Sequence, residues 1–549
     1  MASLVVDLLY RHGAIRSKVG QFLNYWQELA EIFLPDKAAF SVQRSTSERE
    51  PEDIFDGKPR QDARDLSSAI DGLVFNEDWL KVGIDDDDLA AKDNVKQWLE
   101  AATETAWKVM HNPRAGFVQR RTETNEYLTV FGHGLLWIGE RRDRTGLLFR
   151  TYHLRDFGFE ENADGETDTL ALDDNLTAQQ AIGKFGAANL HPEILQCVAE
   201  QKNQYKLWRF SQLVLPREDY DGDRIGPRGM AYKTVVLDVK HETVVPRTEG
   251  GFHEFPAAIP RWSTRPGSCY GRSVAMLALP DALTLQAMGK TLLIGGERAV
   301  DPPIMVPSDV MVSPLRTFPG GISVFDPQFM TDTASNTPIF PFPVSTNLPL
   351  GREMQFDYRQ LIEAAFFKNV MRLPIEGRQM TATEILERKE EFVRVLGPTF
   401  GRLQPEYPGA TATRSLRLIE RAGAFGPRPE ELEGVPLVAK IKSPILAARK
   451  AIQVAGFSRS LEVITPLATA QPDILDNFDG DEIVRDLPEA FQMPEKWLRP
   501  KSMVDKIREQ RAEQQAAAAT VESAQPVAGA IKDVAAAQAD LGLGSAAPI

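Results

Sequence analysis

The residue types that usually carry chemistry are present, but their spacing does not assemble a reaction. All seven histidines lie before Glu254, so nothing in the second half can complete a Ser-His or Cys-His couple locally. The pairs His241-Glu242 and His253-Glu254 lack the second histidine four residues on that a zinc-binding helix requires. Gly183-Lys184 lacks the upstream glycine that shapes a phosphate cradle. In the run Asp476-Asn477-Phe478-Asp479-Gly480-Asp481, placing Gly480 at the turn of a calcium loop puts Leu475 where the first carboxylate belongs. Asp85 to Asp88 carry no spaced ligand pattern and read as a solvated loop. Cys197 and Cys269 are too few for a disulfide framework and show no metal-ligand spacing. The expectation is no catalytic residue, no metal and no cofactor. An α+β hydrolase built around His133 and His153 is the enzymatic alternative, and the missing nucleophile–base spacing argues against it.

Charge narrows the partners. The net charge is −14 over 549 residues, whereas a protein that grips nucleic acid through phosphates needs clustered Lys and Arg. An acidic wall repels phosphates, so any DNA that meets this chain is not held tightly. Leu4-Val5-Val6 is too short for a signal peptide and Asp7 interrupts it. No stretch approaches the ~18 apolar residues of a membrane span. A soluble protein made in a reducing compartment is expected, with roughly three or four structural units.

The elements that must position any site centre on Tyr270 to Leu396. A helix is expected to open at Leu279-Pro280, because proline is tolerated in a first turn. Ala282, Leu285, Leu292 and Leu293 follow at helical spacing, to an end near Ala299. The chain to Pro349 is proline-rich, with β-prone runs at Ile304-Met305-Val306 and Ile322 to Phe325. A second helix carries Met354, Leu361, Ile362, Ala365 and Phe366 on one face. After Met371-Arg372-Leu373-Pro374, Thr381 and Glu384 form a capping box that opens a long charged helix. Two helices of about 20 residues, each ~30 Å long, make a stalk. Gly289, Gly295 and Gly296 cost up to ~1 kcal/mol each against Ala; close packing between helices of neighbouring subunits and helix fraying are both open readings.

Around this core, residues 1–34 read as helical through Ile15, Val19, Phe22, Trp26, Leu29 and Phe33, and 36–53 as a polar arm. A turn at Ile54 to Gly57 precedes a helix through Ala63, Leu66, Ala69, Ile70 and Leu73. Strands are expected at Trp79 to Val82, Leu135 to Ile138, Leu147 to Arg150 and Lys233 to Leu237. Helices are expected over 93–111 and 116–131, and one more from Thr177 to Phe185. The long helix from Thr381 to Ala422 is weakened at Pro398, Pro405 and Pro408-Gly409. A strand at Leu437 to Ile441, a helix from Ile445 to Leu475 and an Ala-rich tail beyond Arg511 complete an α+β, mainly helical chain.

The strings Pro260-Arg261-Trp262, Tyr270-Gly271-Arg272-Ser273 and Leu279-Pro280-Asp281, with Met380-Thr381-Ala382-Thr383-Glu384-Ile385-Leu386-Glu387-Arg388 and Leu396-Gly397-Pro398, resemble the portal (head-to-tail connector) proteins of short-tailed bacteriophages. Trp26 to Pro35, Ile54-Phe55-Asp56 and Asp476 to Arg485 extend the likeness over most of the chain. Val274 stands where proline is expected, and Gln404 to Gly409 is more broken than the family's long helix. The resemblance implies a portal fold assembled as a ring, usually a dodecamer, around a central channel. It implies a wing (1–279, resumed over 381–439), a stem (280–299 and 349–370) and a clip (300–348). A tunnel loop (371–380), a crown (440–510) and a tail (511–549) follow. Implied partners are other copies of the chain, double-stranded DNA, a large terminase, the major capsid and scaffolding proteins and a tail adaptor, with no membrane. The implied location is the portal vertex of the virion, after synthesis in the host cytoplasm. Lys368, Arg372 and Arg378 would brace DNA at the tunnel loop, with Lys290 and Arg298 on the stem. Each also reads as an ordinary surface charge. Phe318, Phe325, Phe340 and Phe342 would pack between subunits or partners in the clip, since a loop that long cannot bury four aromatics alone. A tail adaptor or tube protein is the structural alternative.

Overall fold

The computed structural model describes residues 2–41, 54–300 (except 77, 91, 142, 200–204 and 225), 304–305, 340–341, 348–371, 394–442 (except 396) and 503–515, with isolated positions between 456 and 499. The chain divides into two compact units: Met1–Gly83, Glu100–Pro427 and Pro436–Leu446 form one, and Ile84–Leu99, Arg428–Val435 and Ala447–Ile549 the other. In the second unit, the short helix α4 (Asp87–Ala90) lies where a solvated acidic loop is expected, and Asn94 donates to Glu431 at 2.9 Å.

In the first unit, the N-terminal apolar repeat splits into α1 (Ala2–Gly20) and α2 (Leu23–Phe33). Trp26, Leu29, Ala30 and Phe33 bury one face of α2. Behind it, α3 (Lys58–Val74) buries Ala63, Leu66 and Ile70 as the spacing predicts. The arm expected over 36–53 is not free at its start. Ala38 and Phe40 are buried, and the Phe40 N–H donates to Gln27 Oε1 at 2.8 Å; residues 42–53 lie outside the described residues. Strand β1 (Leu80–Gly83) and helix α6 (Phe117–Phe131) follow; helix α5 (Asp93–Met110) begins in the second unit and runs on into the first from Glu100.

The strand-rich region holds β2 (Leu136–Glu140), β3 (Leu147–Thr151), β4 (Phe157–Glu161), β5 (Thr167–Thr177), β6 (Leu207–Pro216), β7 (Tyr232–Asp238), β8 (Thr243–Val244), β9 (Gly250–Phe252) and β10 (Ala257–Ala258). An antiparallel sheet runs β4-β5-β6-β7-β8, with β9 also on β7, and a smaller one runs β10-β2-β3. Successive strand residues face opposite sides, and β6 shows it. Trp208 and Phe210 pack under α7 (Ala178–Phe185) and α8 (Pro192–Ala199), while Leu213 and Leu215 pack under α1. Helix α7 opens on the Thr177/Gln180 capping box. Helix α8 is a second helix where one is expected; eight residues are too few to show a period.

Beyond β11 (Ser263–Arg265) and β12 (Ser268–Arg272), the stalk begins with α9 (Val274–Val300). It opens well before Pro280. Ser273 Oγ accepts the Met276 N–H at 3.0 Å and donates to Val130 at 2.7 Å, a cap that satisfies an otherwise unpaired donor. Pro280 therefore sits inside the helix, where proline removes a hydrogen bond and crowds the preceding turn. It is exposed, while Ala278, Leu279 and Ala282 beside it are buried. Burial of this face outweighs the local cost. Strands β13 (Ile304–Met305) and β14 (Phe340–Pro341) pair across the proline-rich stretch. Helix α10 (Leu348–Ala365) returns, and after Phe366 and Phe367 comes α11 (Lys368–Met371).

The long helix does not break at its prolines. Residues 397–404 are α-helical, Pro405–Gly409 form a π turn, and Ala410–Arg421 continue as α-helix. The Ala410 N–H reaches the Pro405 carbonyl, five residues back. A wider turn spaces the ladder where two prolines offer no donor. A Cβ on Gly409 would lie 2.8 Å from the Gln404 carbonyl oxygen. Strand β15 (Val438–Ile441) closes against β1 in antiparallel register.

Candidate channel and assembly site

The stalk is an antiparallel hairpin: a Cβ on Gly289 would lie 3.6 Å from Gln355, one on Gly351 2.5 Å from Leu292, and one on Gly295 3.6 Å from Leu348. Its root is fixed by side chains acting on backbone. Buried Gln286 accepts from the Phe55 and Asp56 N–H groups at 2.7 and 2.9 Å and donates to the Asp56 carbonyl at 2.6 Å. Asp56 Oδ2 in turn accepts from Arg359 Nε at 3.0 Å, so the turn at Ile54 to Gly57 is tied to both stalk helices. The approach is close: a Cβ on Gly289 would stand 2.9 Å from Phe55 Cβ, whereas Gly296 opens onto free space. Gly289 thus serves contact within the chain, a reading distinct from both expected ones.

Next to this turn lies a buried ion cluster. Lys58 Nζ is 2.7 Å from Asp62 Oδ1 and also pairs with Glu363. Lys368 Nζ is 2.6 Å from the same Asp62 oxygen and 2.7 Å from Asp65. Burial by itself lowers the Lys368 ammonium, but Asp62 and Asp65 outweigh it and raise the group above its ordinary value. Between α10 and α11, Phe367 takes φ +57, a backbone region costly for a non-glycine residue. Phe366 packs on Phe33, and Phe367 lies 6.2 Å from Trp262. These contacts hold the turn.

Lys368 is therefore not the exposed cation expected beside a channel. It is 6% exposed and engaged by two aspartates; its partner Asp62 lies 306 residues away in sequence. Arg372 and Arg378 lie outside the described residues. Lys290 and Arg298 are exposed on α9, with Lys290 Nζ 5.7 Å from the Phe55 ring centre. Phe340 stands in β14 opposite Met305; Phe318, Phe325 and Phe342 lie outside the described residues.

The Pro260-Arg261-Trp262 string builds a second node. Arg261 is buried; its backbone N–H donates to Glu406 Oε2 at 3.0 Å and its guanidinium reaches Glu406, Glu161 and the Gly165 carbonyl. Glu406 belongs to the π turn, so this arginine ties the long helix to the sheet region. Tyr407, fully buried beside it, donates to the Arg121 carbonyl at 3.1 Å. Another node, Glu254 with Arg414 and Arg421, joins the same helix to the loop after β9. Sequence spacing shows neither.

The histidines of the hydrolase alternative are structural. His133 is buried among Trp26, Phe159 and Tyr270, and burial lowers its pKa to about 3, so it stays neutral. His153 Nε2 lies 3.1 Å from the Lys37 carbonyl, and its Nδ1 accepts from the Arg155 N–H.

Large apolar side chains are exposed along both stalk helices. Leu277, Leu283, Leu293, Ile294 and Val300 on α9 are exposed, as are Leu350, Met354, Phe356 and Leu361 on α10. The expected single face of α10 thus splits: Ile362 and Phe366 are buried, Met354 and Leu361 are not. A cavity of about 500 Å³ lies along the hairpin, lined by Met288, Leu292, Gly295, Leu350 and Met354. Among the described residues, no helix is long and apolar enough to cross a membrane.

An α+β body carries a helical stalk whose root is fixed by buried polar contacts, and ionic nodes join segments far apart in sequence. The profile of the family described as "Bacteriophage head to tail connecting protein" matches residues 6–498. The chain belongs to that family. It is 26% identical over 518 residues to the "Probable portal protein" of Bordetella phage BPP-1, covering 93% of this chain and 92% of that one. It is 24% identical over 528 residues to the "Portal protein" of Salmonella phage epsilon15, covering 95% and 93%. A chain from a solved structure titled "Neck of empty GTA particle computed with C6 symmetry" aligns with a TM-score of 0.34 at 12% identity, covering 72% of this chain and 84% of that one.

Proposed function

We propose that this chain is the portal subunit of a short-tailed phage: copies form a ring at the head–tail junction, around a channel through which double-stranded DNA is packed and ejected. The observation that carries the reading is the stalk. Its two helices expose nine large apolar side chains, and clustered exposed apolar side chains mark interaction surfaces. Neighbouring copies around a ring would cover them. Family membership and likeness to two chains named portal protein, over nearly their full length, support the same reading.

In this reading the protein does no catalysis. A separate terminase hydrolyses ATP and docks on the clip, where Phe318, Phe325, Phe340 and Phe342 supply apolar contact between subunits. Capsid, scaffolding and tail adaptor proteins meet the ring's outer surfaces. Arg372 and Arg378 brace passing phosphates transiently, with Lys290 and Arg298 as weaker contacts, and the net charge of −14 keeps DNA from sticking. Lys368 acts differently: its clamp on Asp62 and Asp65 anchors the segment from which residues 372–380 depart.

Native mass measurement with negative-stain imaging of the purified chain tests the reading. Rings with a central hole, near twelve copies, are expected. A chain that forms no closed ring even with its capsid and scaffolding partners present overturns it.

A further inference from the structure

The six-stranded sheet carries a cluster that no part of the portal reading uses. The turn after β7 brings His241 against the start of α8. His241 Nδ1 lies 2.7 Å from Asp238 Oδ2, and its Nε2 lies 2.9 Å from Glu193 Oε2. The His191 ring lies on the His241 ring, centroids 3.7 Å apart and planes 17° from parallel. Ligand atoms of His191, Glu193 and His241 all fall within 4.8 Å of one another. Among the described residues, no other group of three His, Cys, Asp or Glu side chains is so disposed.

We infer that His191, Glu193 and His241 form a binding site for a divalent d-block cation of the Zn²⁺ or Ni²⁺ class. Two imidazoles and one carboxylate are the ligand set such ions prefer, whereas Mg²⁺ and Ca²⁺ favour oxygen alone. The supporting shell is present. Asp238 is buried and holds His241 through Nδ1, leaving Nε2 aimed at Glu193. A carboxylate behind a ligating histidine fixes its tautomer and orientation in known metal sites.

The site closes with one movement. A cation lies in the plane of each imidazole it binds, so stacked rings cannot share it, and one must turn. His191 is that ring: it is exposed and held by a 3.3 Å bond from the Glu193 N–H. Positive charge is already gathered on Glu193. Lys240 pairs with its Oε1, and Lys206 Nζ stands 4.0 Å away. The Lys240 side chain is 45% exposed, so a cation displaces it into water. The bound ion would staple the start of α8 to the β7–β8 turn.

Titration of the chelator-washed full chain with Zn²⁺ or Ni²⁺ near neutral pH, followed by calorimetry, tests this. One equivalent per chain is expected, and Co²⁺ in its place should give the visible bands of a nitrogen–oxygen ligand set. His191→Ala, at an exposed position, should weaken binding more than ten-fold. Asp238→Asn should weaken it by about 10–100-fold, as loss of such outer partners does. Lys240→Ala should tighten it, because the competing ammonium is gone. Absence of binding, stoichiometry and affinity unchanged in His191→Ala, or Mg²⁺ binding as tightly as Zn²⁺ each overturns the assignment.

Discussion

The root and the outer length of the stalk are built from the same two helices by opposite rules. At the root, polar side chains are buried and paired: Gln286 with the Phe55–Asp56 backbone, and Lys58 and Lys368 on one Asp62 oxygen. Farther out, large apolar side chains are left exposed among the charges, including Leu293, Ile294 and Val300. The root is finished within one chain; in the proposed ring the outer stalk would be completed by a neighbouring copy. A buried charge pair is a poor source of net stability but is costly to half-remove, so the root resists change. The exposed apolar face adds little to the single chain, and in the proposed ring it would stabilise the assembly by the area it removes from water.

Removing the shared carboxylate is the strongest way to break this contrast. Asp62→Ala leaves two lysines at the root without their common partner and should cost about 3–5 kcal/mol in denaturant unfolding. Asp173, on the sheet under α1, calibrates a buried carboxylate away from the stalk. Burial pushes it up, but His12, Arg16 and Arg209 together outweigh this and hold it at about 2. Its folded value is depressed, so its contribution is present above the ordinary value of 3.8 and lost as pH falls through about 2. Stability should decline by about 2 kcal/mol across that acid window, and Asp173→Asn should flatten the slope.

Two glycines one stretch apart on α9 sharpen the comparison. Gly289→Ala pushes a methyl into Phe55 and should destabilise by about 1–3 kcal/mol. Gly296→Ala meets nothing and should stabilise by about 0.5–1 kcal/mol. The smallest effect on the monomer belongs to the outer face. Leu293→Ser should change monomer unfolding by less than about 0.5 kcal/mol yet reduce ring yield on native mass measurement. Equal ring yield from that variant would separate the apolar face from assembly.

Some of this was legible in residue order. Short-range pattern placed α3, α6 and the strands β2, β3 and β7, because alternation and 3.6-residue spacing are local consequences of which face is buried. The two stalk helices were also visible, but not their starts and breaks. Leu279-Pro280 reads as a helix opening by local preference; Ser273 opens it because Val274, Ala275 and Ala278 have a core to enter. The prolines at 405 and 408 read as interruptions and are instead absorbed by a π turn that Arg261 grips through Glu406.

The amino-acid order determined the element types, the acidic balance and the motifs that carry the family likeness, since these depend on neighbours along the chain. Tertiary structure alone decided what the charged residues do. Lys368 reads as an available cation until folding places Asp62 and Asp65 around it. His191 and His241 read as unrelated until α8 and the β7–β8 turn meet. Electrostatic partnership depends on distance through space, and a separation of 306 residues along the chain leaves no trace in local pattern.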